Sequence, residues 1–267
     1  MQKILQKIFW HSEFRPLQKE IVENISQKKD TFVLMPTWAW KSICYQVPAI
    51  NFDWLTVVVS PLISLMKDQV DNLKTNWVSA EFLNSSISQD EVFEIQNKFR
   101  NWEIKLLYVA TERLALLNFQ EFLKWLNISL FAIDEAHCIS EWWHDFRPDY
   151  KILQNLKNWY PEIPIIALTA TATDKVRKDI LKQLQIENAK TFVSSFQRKN
   201  LKIKVVQKKD SFPKLLNILE NYKWESAIIY CHSRKETEEI AEKLAWKWYK
   251  TWTYNALLSD KIRKSNQ

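Results

Sequence analysis

Two short stretches of this 267-residue chain carry residue types suited to a phosphate group and its cation. The first is MPTWAWKS, 35–42, in which Lys41 and Ser42 follow one apolar run and open another. A lysine there can reach the outer phosphates of a nucleotide, and a serine hydroxyl can ligate Mg²⁺, if bare backbone N–H groups at a helix start surround the anion. Lys-Ser pairs are common, so the pair alone decides nothing. Written with glycine at Trp38 and Trp40, the stretch becomes TGAGKS, the closing half of a phosphate-binding loop that also includes Thr37 and Ala39. The second stretch is SLFAIDEAH, 129–137. Asp134, at the end of an apolar run, can hold Mg²⁺, and Glu135 can orient or deprotonate an attacking water. A lesser alternative is that the two carboxylates only cap the following helix, and His137 by itself reads as a structural histidine.

Positioning these groups needs strands that end where the chemistry begins. The runs DTFVLM (30–35), LTVVVS (55–60), IKLLYVA (104–110), SLFAID (129–134) and IPIIALTA (163–170) are continuous, apolar and of strand length, as buried parallel strands are. Between them lie amphipathic stretches, 62–76 and 174–184 among them, the second with Thr173 as its N-cap. Such alternation predicts an α/β fold, a parallel sheet with helices on both faces, and carboxylates at strand ends sit where such sheets bind ligands. A second series opens near residue 201: a strand at 201–207, a helix at 212–221, a strand at 226–231 and a helix at 234–244. The expected division is residues 1–205 and 206–267, with the second unit cut short after about two strands.

Composition sets the class and raises one anomaly. Hydrophobic residues at 46% and charged residues at 26% are those of an ordinary globular protein. No apolar run approaches the ~18 residues of a membrane span, and the first ten residues lack a secretory signal, so the expectation is cytoplasmic, with no membrane partner. Cys44, Cys138 and Cys231 are too scattered for a disulfide framework or a zinc site and read as reduced, buried thiols. The anomaly is the absence of glycine beside 14 tryptophans. Average usage would give roughly 19 glycines in a chain this long. Several tryptophans, including Trp38, Trp40, Trp224, Trp246 and Trp248, stand where turns and helix ends call for glycine. The pattern predicts that UGA codons spelled here as tryptophan are read as glycine. With indoles in the loop before Lys41, the chain is expected to bind ATP poorly.

The order of motifs carries a resemblance. TWAWKS, SPLISLMKDQV (60–70), YVATERL (108–114), DEAHCISEWWHDFRPDY (134–150), LTATAT (168–173) and IIYCHSR (228–234) resemble the RecQ family of superfamily 2 DNA helicases, along essentially the whole chain. FWHSEFRPLQ, 9–18, resembles that family's adenine-reading motif. The resemblance implies a RecA-like first lobe and a truncated second RecA-like lobe. It implies that His11 stacks on adenine, Arg15 supports the site and Gln18 hydrogen-bonds the base edge. Thr37, Trp38, Ala39, Trp40, Lys41 and Ser42 would surround the phosphates, Ser42 and Asp134 would hold Mg²⁺, and Glu135 and His137 would complete the catalytic set. Trp142, His144, Phe146 and Arg147 fall in the family's aromatic-rich loop, which senses single-stranded DNA. Stacking rings beside cations suit that role. Trp142 is therefore kept as tryptophan and Trp143 rewritten as glycine. Thr169 to Thr173 would couple nucleotide state to the second lobe, where Ser233 and Arg234 would contact the DNA backbone.

The function implied is an ATP- and Mg²⁺-dependent helicase, moving 3′ to 5′ on single-stranded DNA and opening forked duplexes in repair or recombination. Thr111, Asn255 and Leu257 depart from the family's usual residues. Its arginine finger, zinc-binding module and winged helix have no counterpart here, so zinc is expected only beyond this chain. As it stands the chain is expected to be an inactive fragment. Two other readings stay open: a silent piece that only binds DNA or nucleotide, and an ATPase acting on RNA. A net charge of +7 and a pI near 9.1 suit a polyanionic partner, although most lysines belong to solvated surface.

Overall fold

The computed structural model describes residues 1–83, 104–140, 148–195, 201–255 and 257–258. The chain divides into two units, Met1–Gln197 and Arg198–Gln267. The first is built on strands β1 (Thr31–Leu34), β2 (Leu55–Val59), β3 (Ala80–Leu83), β4 (Leu106–Val109), β5 (Ile128–Ile133), β6 (Ile165–Thr169) and β7 (Lys190–Val193). Its helices are α1 (Gln2–Ile8), α2 (Gln18–Ser26), α3 (Ile43–Asn51), α4 (Ile63–Thr75), α5 (Thr111–Leu114), α6 (Leu117–Lys124), α7 (Leu156–Trp159) and α8 (Asp174–Gln183). The strands pair in parallel in the order β3-β4-β2-β5-β6-β1-β7. All five strands anticipated from apolar runs are present. The edge strands β3 and β7 carry polar residues such as Glu81 and Lys190 and give no such run.

Side chains of successive strand residues point to opposite faces, and both faces are covered. Phe32, Val57, Val59, Phe131 and Ile133 pack with Leu114, Phe119 and Ile180. Val33, Val58, Leu130, Ile166 and Leu168 pack with Ile21, Tyr45 and Met66 on the other side. Because β6 lies between β1 and β5, the carboxyl ends of these three strands are neighbours. That adjacency brings the loop of Lys41, the Thr169 segment and the Asp134–Glu135 pair to one end of the sheet.

The opposite end is fastened by Asp30. Its Oδ1 accepts the Ile165 N–H at 2.8 Å and lies 2.8 Å from Lys157 Nζ, joining the start of β1 to that of β6. Asp30→Ala leaves the Ile165 N–H without its acceptor and Lys157 with Ile163 O, at 2.9 Å, in place of a carboxylate; it should lower unfolding stability by about 2 kcal/mol, read as a shift in the urea midpoint. Thr173 caps α8 as expected, accepting the Val176 N–H.

Several helices end on tryptophan in the left-handed region. Nine described residues have positive φ and four of them are Trp10, Trp40, Trp77 and Trp248, with φ of 57°, 53°, 62° and 67°. A side chain bearing a Cβ pays roughly 1–2 kcal/mol for that conformation. Trp77 closes α4 through paired bonds, Trp77 N–H to Lys74 O at 3.0 Å and Val78 N–H to Leu73 O at 2.9 Å.

The second unit contains α9 (Ser211–Asn221) and α10 (Arg234–Ala245). The expected strands at 201–207 and 226–231 are not strands. Ile203, Val205, Ile228 and Tyr230 there are exposed, and an extended segment becomes a strand only when a neighbour takes up its backbone hydrogen bonds. Cys44 and Cys138 are buried, and burial pushes the Cys44 thiol up to about 12. Cys231 differs from expectation in being only half-buried. Among the described residues no helix is long and apolar enough to cross a membrane.

Candidate nucleotide-binding site

After β1 the chain makes a single 3-10 turn, Thr37–Ala39, passes through Trp40 at φ 53° and ψ 59°, and enters α3 after Ser42. This swings the Lys41 side chain, almost wholly buried, toward the end of β5. Its Nζ lies 3.2 Å from Glu135 Oε1 and 3.9 Å from Asp134 Oδ1. Glu135 itself is left-handed at φ 47°, and its N–H donates to Asp134 Oδ1 at 2.9 Å. Strain of this kind on a carboxylate is a recurrent mark of functional sites. The other Glu135 oxygen, Oε2, is 3.2 Å from His137 Nδ1, which in turn is 2.9 Å from Thr169 Oγ1. Thr169 accepts the Thr171 N–H at 3.2 Å. One polar path thus runs from the loop after β1, through the end of β5, to the end of β6.

Charge in this path is balanced internally. Burial pushes the Asp134 carboxyl above the usual carboxylate range despite Lys41 beside it. Burial also works against Glu135, but the hydrogen bond with His137 and the charge of Lys41 together hold it below that range. His137 loses charge preference to burial, yet its contacts with the Cys138 sulfur and the Glu135 carboxylate push it up to about 9. Asp134 and Glu135 supply hard carboxylate oxygens of the kind Mg²⁺ takes, and Ser42 stands at the N-cap of α3.

The base end is different. Gln18, buried, accepts the Arg15 N–H at 2.9 Å and donates to Ala39 O at 2.9 Å and Trp40 O at 3.2 Å. It therefore clamps the phosphate loop to α2. The Trp40 indole stacks on His11, with ring centroids 4.1 Å apart, and the Arg15 guanidinium carbon lies 3.7 Å from the centre of the indole. Burial and the neighbouring Arg15 charge hold the His11 ring below its ordinary pKa. His11, expected to stack on adenine, and Arg15, expected to support that site, are thus both engaged by an aromatic ring of this chain.

Trp142, His144, Phe146 and Arg147 lie outside the described residues. Their flanks are both fastened to α8: Ser140 Oγ donates to Asp179 Oδ2 at 2.7 Å, and Gln154 bonds Gln183 by its side chain. Gln185, just past α8, also donates to Gln154 O at 2.8 Å. Sequence reasoning missed this clasp, since a polar residue on an amphipathic helix carries no sign of the distant partner it meets. It also missed Gln18 as the loop's clamp. In the second unit Ser233 caps α10, its Oγ accepting the Glu236 N–H at 3.1 Å, and Arg234 is the first residue of that helix.

Comparison with known proteins adds the following. The DEAD/DEAH box helicase family matches residues 15–180. The chain is 42% identical over 264 residues to the ATP-dependent DNA helicase RecQ of Pasteurella multocida, covering 99% of this chain and 42% of that protein. It is 41% identical to RecQ of Bacillus subtilis, covering 100% of this chain and 45% of that one. It is 40% identical to the ATP-dependent DNA helicase Q1 of Rattus norvegicus, covering 98% and 44%. The chain thus spans less than half the length of the curated relatives it matches. Among solved structures, the DUF1998 helicase MrfA superposes with a TM-score of 0.71 at 15% identity, covering 92% of this chain and 40% of that one. The Pyrococcus furiosus Hef helicase domain does so with 0.53 at 14%, covering 88% and 53%. These likenesses establish the α/β helicase fold.

Proposed function

This chain belongs to the DEAD/DEAH box helicase family, and from that premise we propose that residues 1–205 form the ATP-binding lobe of a DNA helicase of the RecQ type, with residues 206–267 opening a second lobe. The whole protein would use ATP and Mg²⁺ to move 3′ to 5′ along single-stranded DNA and open forked duplexes, in repair or recombination, in the cytoplasm. One observation carries the reading: Lys41, from the loop after β1, bridges both carboxylates at the end of β5. Lys41 is placed to exchange those carboxylates for phosphate oxygens. Asp134 and Ser42 would hold the cation, which supplies charge neutralisation at the phosphates when bound. Glu135 is an ionised proton acceptor held in place by His137, and His137 ties it to Thr169.

For DNA, the reading rests on the resemblance of 138–148 to an aromatic loop. In the full-length protein with glycine at positions 38 and 40, Trp142→Ala should remove stimulation of ATP hydrolysis by single-stranded DNA, measured as phosphate release with and without an oligonucleotide. Stimulation undiminished in that variant counts against the assignment. Running the same assay with RNA separates the RNA-directed alternative, in which RNA would stimulate as well as DNA. A binding-only role is the second reading, favoured by the indole in the base slot. It predicts that nucleotide hydrolysis stays absent even when Trp38 and Trp40 are replaced by glycine.

A further inference from the structure

We infer that positions 10, 40, 77 and 248 are glycine in the working protein, and that the codon spelled here as tryptophan is read as glycine at these places. Backbone geometry at separate places in the chain points the same way. Four of the nine positive-φ residues described are tryptophan, in a chain where tryptophan is 14 of 267 residues and glycine is absent. A bulky residue in that region is an outlier wherever it occurs, whereas glycine enters it freely.

Two of the four close helices by the same device. At the end of α4, Trp77 N–H bonds Lys74 O and Val78 N–H bonds Leu73 O. At the end of α10, Trp248 N–H bonds Ala245 O at 2.9 Å and Tyr249 N–H bonds Leu244 O at 3.1 Å. In both, tryptophan occupies the left-handed position that glycine fills in this paired-bond ending. Trp10 follows the C-cap of α1, and His11 N–H reaches back to Leu5 O at 3.3 Å. The side chains contribute little in return: Trp77 and Trp248 are 95% and 96% exposed. Tryptophan ordinarily repays its bulk by burying a large apolar surface.

Trp40 supplies an argument of another kind. Its ring has partners, but they are His11 and Arg15, and its backbone is left-handed beside Lys41. Glycine there keeps the backbone path and clears the ring from both groups at once. The helix-end positions stand apart from any reading of the nucleotide site, so the inference survives or fails independently of it. It does not extend to every tryptophan; Trp142, for one, lies outside the described residues.

The deciding measurement is peptide mass spectrometry of the protein isolated from its natural source. Cleavage after Lys29 and Lys41 yields one peptide carrying positions 38 and 40, and cleavage after Lys74 isolates position 77. Masses with glycine at 40 and 77 are expected; tryptophan at either position overturns the inference. A second measurement uses the chain with Trp77→Gly and Trp77→Ala. Glycine should raise the urea midpoint above both tryptophan and alanine, because alanine sheds the ring but keeps the Cβ. Equal midpoints for the glycine and alanine variants would show that backbone conformation is not at issue and would also overturn it.

Discussion

Replacing Trp40 with glycine, with Trp38→Gly alongside it, should raise affinity for an adenine nucleotide roughly 100-fold. The estimate follows from what the base must displace. The indole stacks on His11 and holds the Arg15 guanidinium close to its ring. A stacked pair contributes about 0.5–1.5 kcal/mol and a cation over a ring about 0.5–2 kcal/mol, so their sum is worth about two decades in a dissociation constant. Trp40→Ala should recover only part of the gain, because it frees the slot but leaves a Cβ at φ 53°. Titration of a fluorescent ADP analogue in the presence of Mg²⁺ reads all three chains. Unchanged affinity in the double-glycine variant would mean that the indole does not block the site.

Lys41→Ala is the second large effect, and it should appear in two readouts. In the full-length protein with glycine at positions 38 and 40, nucleotide hydrolysis should fall by about three decades or more, since the positive charge that meets the phosphates is gone, while DNA binding should persist. Stability should fall as well, because removing one partner from a largely buried ion cluster leaves charge uncompensated. Complete burial would make that about 3–5 kcal/mol; the partial exposure of Glu135 and its second partner His137 reduce it to about 2 kcal/mol. The loss should depend on pH with a definite sign. Burial already raises the Asp134 carboxyl, so its ionisation disfavours the folded state, and removing Lys41 raises it further. Above that raised value the carboxyl is ionised, and there the variant should suffer most. As pH falls through the raised value Asp134 takes up a proton, and the deficit should shrink. Urea unfolding of parent and variant at neutral and mildly acidic pH checks this; a deficit that grows on acidification would contradict the charge assignment.

How far the sequence revealed these features depends on what each residue type encodes. β1, β2, β4, β5 and β6 are interior strands, buried on both faces, and a doubly buried strand must be an apolar run. The edge strands β3 and β7 bury less and their residues carry no such message. Lys41, Asp134 and Glu135 were legible because strand ends mark the sheet's binding edge; His137 alone reads as a structural histidine and joined them only through the family resemblance, and the structure brings these four together. The clasp of Ser140, Asp179, Gln183 and Gln154 was not legible, since hydrogen bonds between residues some 30–40 positions apart leave no periodic trace. Nor was the exposed state of 201–207 and 226–231, whose apolar composition anticipates pairing that the described residues do not supply. The tryptophans were conspicuous as a composition; only backbone angles tell which of them occupy left-handed positions.

The clasp on α8 has a mechanical corollary. Ser140 and Gln154 hang from the same ten-residue helix. Their separation is therefore set by one rigid rod, and neither anchor can drift from the other without bending that rod or breaking a bond. Whatever the intervening stretch touches, its ends start from a fixed span, with the entropy of bringing them together already spent in folding.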